Sequence, residues 1–301
     1  MSRTNRQGRG RPFYARLKII LVTETSTQRA ELTQRIIAAA QSDARVVGVV
    51  DYGSTSEGRA DEWSDIDLAL FIRDADYADF ERAWQAWAAQ FGPLLLAYVG
   101  GIGHPWTVYD TQPLPLRVDF ALHRESAVEV MLAWPNAPTN VAAMVKHDAT
   151  GGRIGACAAK LVGQPLDLPD PARAFEQIAG DVWYYLLRTY SKLRRRQIWA
   201  ARFDFNFIIV GNLMALLRLE ADATARMRST SAAVGIEQAL TPERRAQLDA
   251  LIPGADTASL YESFRRAVEL TRQVCASLAA RHGWPWPAEL AARLAVLFEE
   301  L

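Results

Sequence analysis

The chain has 301 residues, half of them hydrophobic and 23% charged, which excludes a disordered or fibrous protein and suffices for two domains of ordinary size. Its 34 Lys plus Arg balance 34 Asp plus Glu, so the formal net charge is zero. That argues against a general nucleic-acid binder, which carries a basic excess.

The first segment, MSRTNRQGRGRPFYARLK, holds six basic residues and no acidic one. It reads as a solvated, mobile N-terminal tail over residues 1–26, and the IILV inside it is too short for a signal sequence. Leu32, Ile36, Ile37 and Ala40 then fit an amphipathic helix over 27–41. Residues 45–51 are Val-rich and read as a buried strand, and 66–72 as a second one. Between 76 and 91, Phe80, Trp84, Trp87 and Phe91 recur at steps of four, three and four, which predicts a helix with one buried aromatic face. Gly92-Pro93 stops it. LLLAYV, WTVYD and LRVDFAL are three more short strands, five in all, so the first half is a mixed sheet with flanking helices.

GQPLDLPDP, 163–171, carries three prolines and a glycine and reads as a linker between a domain over 27–162 and another over 172–301. Beyond it the texture is helical. Phe175, Ile178, Val182, Leu186 and Leu193 sit at helical spacing, 207–219 is an apolar helix, and Thr241-Pro242 is a helix start. Segments 260–278 and 287–298 complete the helical half. The fold class is therefore α+β, a mixed-sheet domain followed by an all-helical bundle. Cys157 and Cys275 are the only cysteines, with no CxxC, which points to a reduced cytoplasmic protein without structural zinc. No apolar run approaches the roughly 18 residues that span a bilayer.

The chemistry gathers in GSTSEGRADEWSDIDLALFI. On a strand, residues two apart share a face, so Asp65 and Asp67 project together while Ile66 points the other way. Two adjacent carboxylates repel unless a cation sits between them, and Mg²⁺ favours carboxylate, water and phosphate oxygens. Asp119, inside LPLRVDFAL, supplies a third carboxylate if its strand is a neighbour; Asp110 is its rival. Gly53 permits close backbone approach and Ser54 adds a hydroxyl, together a turn suited to phosphate. The Asp-x-Asp pair alone is a weak signal, and so is the Gly-Ser turn; their succession is strong.

GSTSEGRADEWSDIDLAL resembles the signature of the nucleotidyltransferase superfamily related to DNA polymerase β. The resemblance implies that Asp65 and Asp67 bind Mg²⁺, that Gly53 and Ser54 hold the phosphates of a nucleoside triphosphate, and that Asp119 ligates metal or takes the acceptor hydroxyl's proton. DVWYYLLRTYSKLRRRQIWAARFDFNFI resembles the first helices of the helical domain in lincosamide and aminoglycoside nucleotidyltransferases, and VKHDATGGRIG a short element before it. The resemblance spans roughly residues 30–220. It implies transfer of a nucleoside monophosphate, AMP being expected from ATP, to a hydroxyl of a small molecule such as a lincosamide or aminoglycoside. Lys192 is the leading candidate to neutralise the phosphates and Lys146 a weaker one. Trp106, Trp183, Tyr184 and Tyr185 are candidates for an acceptor pocket, with core packing favoured for any single one.

Three other readings compete. A protein-AMPylating transferase of toxin–antitoxin type is usually short, whereas this chain has a long helical half. The spacing of the helical ribonucleases in such systems, an Arg followed after four to six residues by a His, is matched only by Arg117 and His123, on a strand candidate, which reads as chance. A nucleotide-binding regulator would usually have lost the acidic residues, and an RNA nucleotidyltransferase would carry more basic charge. The sequence allows a homodimer without requiring one.

Overall fold

The structure, a computed structural model, describes residues 11–101, 103–163, 170–224 and 232–298. The chain divides into two compact units, Met1–Pro165 and Leu166–Leu301. The expected linker falls mostly on 164–169 and the start of the expected tail on 1–10, both outside the described residues.

In the first unit, helix α1 runs Arg11–Ser42, so 11–26 are helical and not a loose tail. Pro12 sits in the first turn, where its missing N–H is not needed, and no proline or glycine interrupts the segment after it. The strands are β1 (Val46–Asp51), β2 (Ile66–Ile72), β3 (Leu94–Val99), β4 (Pro105–Tyr109), β5 (Leu116–Arg124) and β6 (Val145–Asp148). They form one sheet in the order β3-β4-β5-β2-β1-β6, in which β2 and β5 are parallel and the other pairs antiparallel. The sixth strand was not anticipated, because four half-buried residues paired at a sheet edge carry no hydrophobic pattern.

The two faces of β2 explain its run of apolar residues. Ile66, Leu68, Leu70 and Ile72 face a core with Leu32 and Ile36 of α1 and Phe80, Trp84 and Trp87 of α2 (Tyr77–Ala89). Ala69 and Phe71 face a second core with Val128 and Met131 of a 3₁₀ segment (Glu125–Ala133) and Ile154 and Cys157 of α4 (Arg153–Leu161). The predicted aromatic face of α2 is present: Trp87 meets Phe91 edge-on at 4.8 Å and Phe120 at 5.8 Å. A short α3 (Val141–Met144) precedes β6.

The second unit is helical: α5 (Pro171–Arg194), α6 (Ile198–Phe203), a π-helical turn (Asp204–Ile209), α7 (Val210–Glu220), α8 (Ile236–Ala239), α9 (Pro242–Asp249), α10 (Thr257–His282) and α11 (Ala288–Phe298). Asp170 caps α5, accepting from the N–H groups of Ala172 and Arg173, and Thr241 caps α9 as its sequence predicts. Phe175, Val182, Trp183, Leu186 and Leu193 of α5 pack against Leu213 and Leu216 of α7 and Phe264 and Leu278 of α10. Trp183 is thus a core residue and not a pocket wall, while Tyr184 is exposed.

The expected helix over 207–219 starts earlier and passes through the π turn, which carries Asp204 into the interior. Contrary to the expectation from sequence, Ile198–Glu220 is long and apolar enough to cross a membrane by length and composition. In the bundle its Phe205, Ile209, Leu213 and Leu217 form part of the core. Both cysteines are free and buried.

Candidate active site

Asp65 immediately precedes β2 and Asp67 is its second residue, while Asp119 lies in β5. The parallel pairing sets Ile66 beside Val118 and Asp67 beside Asp119. Because Ile66 and Val118 turn into the first core, the three carboxylates share the opposite face. One oxygen from each of Asp65, Asp67 and Asp119 lies within 4.8 Å of the others. Asp110 follows the far end of β4, is exposed and takes no part in the cluster.

The turn after β1 leans on this cluster. A Cβ on Gly53 would lie 2.0 Å from Asp67 Oδ2 and 2.7 Å from Asp67 Cβ, so only glycine lets the turn close over that carboxylate. The Gly53 N–H itself is donated to Asp51 Oδ1 at 3.1 Å. The glycine therefore makes room for Asp67, where the sequence suggested an approach to ligand. Asp51, at the end of β1 and 3% exposed, also accepts from the N–H of Ser56 at 3.3 Å. Ser56 Oγ donates to the Gly53 carbonyl at 2.8 Å, and Thr139 N–H donates to the Ser56 carbonyl at 2.9 Å. Asn136 Nδ2 donates to the Tyr52 carbonyl. The turn is thus held from both sides. Inside it, Ser54 Oγ is buried with no hydrogen-bond partner. A buried hydroxyl without a partner is costly, and a hydrogen-bond acceptor brought to the turn would satisfy it.

The electrostatics follow from the crowding. Burial, then the charges of Asp65, Asp119 and Asp51, push the Asp67 carboxyl up to about 7. Asp119 is raised by burial and by Asp65, with Arg117 opposing. Asp51 is raised by burial, with its two backbone hydrogen bonds opposing. The Tyr52 hydroxyl is held protonated by burial and by the same carboxylates. A set of hard carboxylate oxygens, crowded and short of positive charge, fits a divalent cation.

The remaining candidates have other engagements. Lys192, in the second unit, donates to Asp204 Oδ2 at 2.6 Å, with Arg188 at 3.3 Å from the same oxygen, and Asp204 is 1% exposed. Lys146 donates to the carbonyls of Ala143 and Ala142, and Asp148 accepts from Thr150 and Gly155, fixing the entry to α4. Trp106 pairs with Asp119 across β4 and β5, and its indole N–H is buried without a partner. Sequence reasoning missed Asp51, whose only signal is its place at the end of a Val-rich strand. It also missed the ion pair of Arg117 Nη2 with Asp65 Oδ2 at 2.8 Å, although alternation already set Arg117 on the face of Asp119.

No known family profile matches the chain, and no curated protein matches it. Among solved structures the chain is similar in fold to two proteins of low sequence identity. An aminoglycoside 6-adenyltransferase from Bacillus subtilis is 14% identical, with 90% of this chain and 97% of that chain covered and a TM-score of 0.41. A nucleotidyltransferase-like protein from Exiguobacterium sibiricum is 13% identical, with 82% and 74% covered and a TM-score of 0.36.

Proposed function

We propose that the protein is a metal-dependent nucleotidyltransferase that moves a nucleoside monophosphate, AMP from ATP, to a hydroxyl of a small molecule. The observation that carries this reading is the cluster of Asp65, Asp67 and Asp119 beside the buried, unpartnered Ser54 hydroxyl. Asp65 and Asp67, with Asp119, are the residues that would hold Mg²⁺, which when bound neutralises charge on the triphosphate and polarises its α-phosphorus. Ser54 Oγ donates to a phosphate oxygen, which supplies the partner it lacks. Gly53 keeps the turn close against Asp67. Asp119, beside Asp67 in the cluster, orients the acceptor hydroxyl and accepts its proton. The freed oxygen forms a bond to the α-phosphorus, and the bond to pyrophosphate breaks.

The acceptor class rests on the likeness of 181–208 to lincosamide and aminoglycoside nucleotidyltransferases. An antibiotic of one of these classes is the proposed acceptor and the cytoplasm the proposed place of action. The test is incubation of the full chain with Mg²⁺, each nucleoside triphosphate and a panel of aminoglycosides and lincosamides, reading pyrophosphate and product mass. ATP with one acceptor class is expected to give both. Pyrophosphate with mass added only to protein would replace the small molecule by a protein acceptor, and no pyrophosphate with any pair overturns the reading.

Ser54→Ala separates binding from folding. Removing a buried hydroxyl that has no partner is expected to leave stability unchanged or raise it by about 1 kcal/mol in urea unfolding. It is also expected to weaken ATP binding about tenfold, the loss of one hydrogen bond to a charged group. Unchanged ATP affinity by calorimetry would remove Ser54 from the site.

A further inference from the structure

Arg117 and Asp119 are two residues apart on β5 and share the face that carries the carboxylates. The register that sets Ile66 beside Val118 and Asp67 beside Asp119 brings Arg117 to the level of Asp65, and its guanidinium reaches across the strand pair to that carboxylate, with Nη2 2.8 Å from Oδ2. It is the cation whose described partner is a member of the cluster. Lys146 is occupied by main-chain carbonyls. The pair is also placed to open. Arg117 is 62% exposed and Asp65 26%, and an ion pair so wetted holds its partners weakly. The contrast within the same chain is Asp204, 1% exposed and gripped by Lys192 and Arg188, which is built to stay closed.

We propose that Arg117 is an exchangeable counter-charge: it occupies Asp65 while the cluster has no metal, and on release it binds the triphosphate. This rests on the reading of the site as a metal-dependent nucleotidyltransferase. The argument is one of competing cations. Three carboxylate oxygens within 4.8 Å of one another call for positive charge, and a single guanidinium meets only part of that demand. A divalent ion bound through Asp65 meets more of it and repels a guanidinium held on the same carboxylate. Once released, the guanidinium stays tethered beside the site, and its planar fork matches phosphate oxygens two at a time. Metal binding and nucleotide binding are thereby linked through one side chain: the metal gives up some affinity to displace Arg117, and the nucleotide gains it.

The experiment uses Mn²⁺ as the metal probe and a non-transferable ATP analogue as the nucleotide probe, on the full chain. Free Mn²⁺ is read by electron paramagnetic resonance and analogue affinity by calorimetry at saturating Mn²⁺. Arg117→Gln is expected to bind Mn²⁺ alone about tenfold more tightly than the parent and the analogue about tenfold more weakly. Arg117→Lys, which keeps the charge and loses the fork, is expected to fall between on both readouts. A side chain that only props Asp65 in place would instead loosen Mn²⁺ on replacement. Unchanged or weaker Mn²⁺ binding by Arg117→Gln overturns the proposal while leaving the metal site standing, and so does tighter Mn²⁺ with unchanged analogue affinity. Absence of Mn²⁺ binding by both the parent and Arg117→Gln removes the metal site itself and this inference with it. Circular dichroism confirms that each variant is folded.

Discussion

Asp67→Asn is expected to reduce nucleotidyl transfer by about 10³-fold, the scale of losing transition-state charge stabilisation worth about 4 kcal/mol. Its effect on the fold runs the other way. Asp67 is crowded by Asp65, Asp119 and Asp51 and its carboxyl is pushed up to about 7 from an ordinary 3.8. Between these values the unfolded chain has released the proton while the folded chain keeps it. Without metal, stability therefore falls as pH rises from about 4 to about 7, by at most roughly 1.4 kcal/mol per pH unit from this group, and levels off above that. Asparagine carries no charge and escapes the loss. In EDTA, Asp67→Asn should unfold at a higher urea concentration than the parent at pH 8, with a much smaller gap at pH 5. An equal gap at both pH values would show that Asp67 does not carry the strain assigned to it, and full turnover would sink its catalytic role.

Gly53→Ala is expected to cost roughly 1–3 kcal/mol of stability, the range for forcing an extra carbon into a packed site, and to lower turnover about 10²-fold. Gly53 is not among the glycines with positive φ, so alanine fits its backbone and the effect comes from contact alone. The new Cβ would lie 2.0 Å from Asp67 Oδ2, which could swing away, and 2.7 Å from Asp67 Cβ, which the strand holds in place. The turn and the carboxylate must therefore part. Urea midpoints and kcat/KM measure the two effects. Parental turnover in a folded variant would show that the closeness of turn and carboxylate does not matter to the chemistry.

The legible parts of this protein are those governed by local periodicity. The amphipathic spacing of Phe80, Trp84 and Trp87 announces the buried face of α2 without knowledge of its partner. Alternation along β2 sets Asp65 and Asp67 on one face and Ile66 on the other whatever strand lies beside them. Where a boundary depends on fraying or on pairing, the reading falls short. α1 begins at Arg11, well before its apolar stripe, and β6 exists because β1 offers it an edge.

The sequence by itself determined the mixed class of the fold, the acidic pair and the turn before it, because each depends on neighbours within a few residues. Only the tertiary structure decided between Asp119 and Asp110, since the parallel pairing of β2 with β5 joins positions 52 apart and fixes which carboxylate meets Asp67. It also decided that Gly53 shelters a carboxylate, that Ser54 waits without a partner, and that Lys192 belongs to Asp204. Gly53 and Asp67 lie within one short stretch of sequence, and so do Lys192 and Asp204, yet spacing alone does not say which side chains meet. Charge and burial at such contacts are set by the path the chain takes between the two residues and by what packs around them, which local periodicity does not encode.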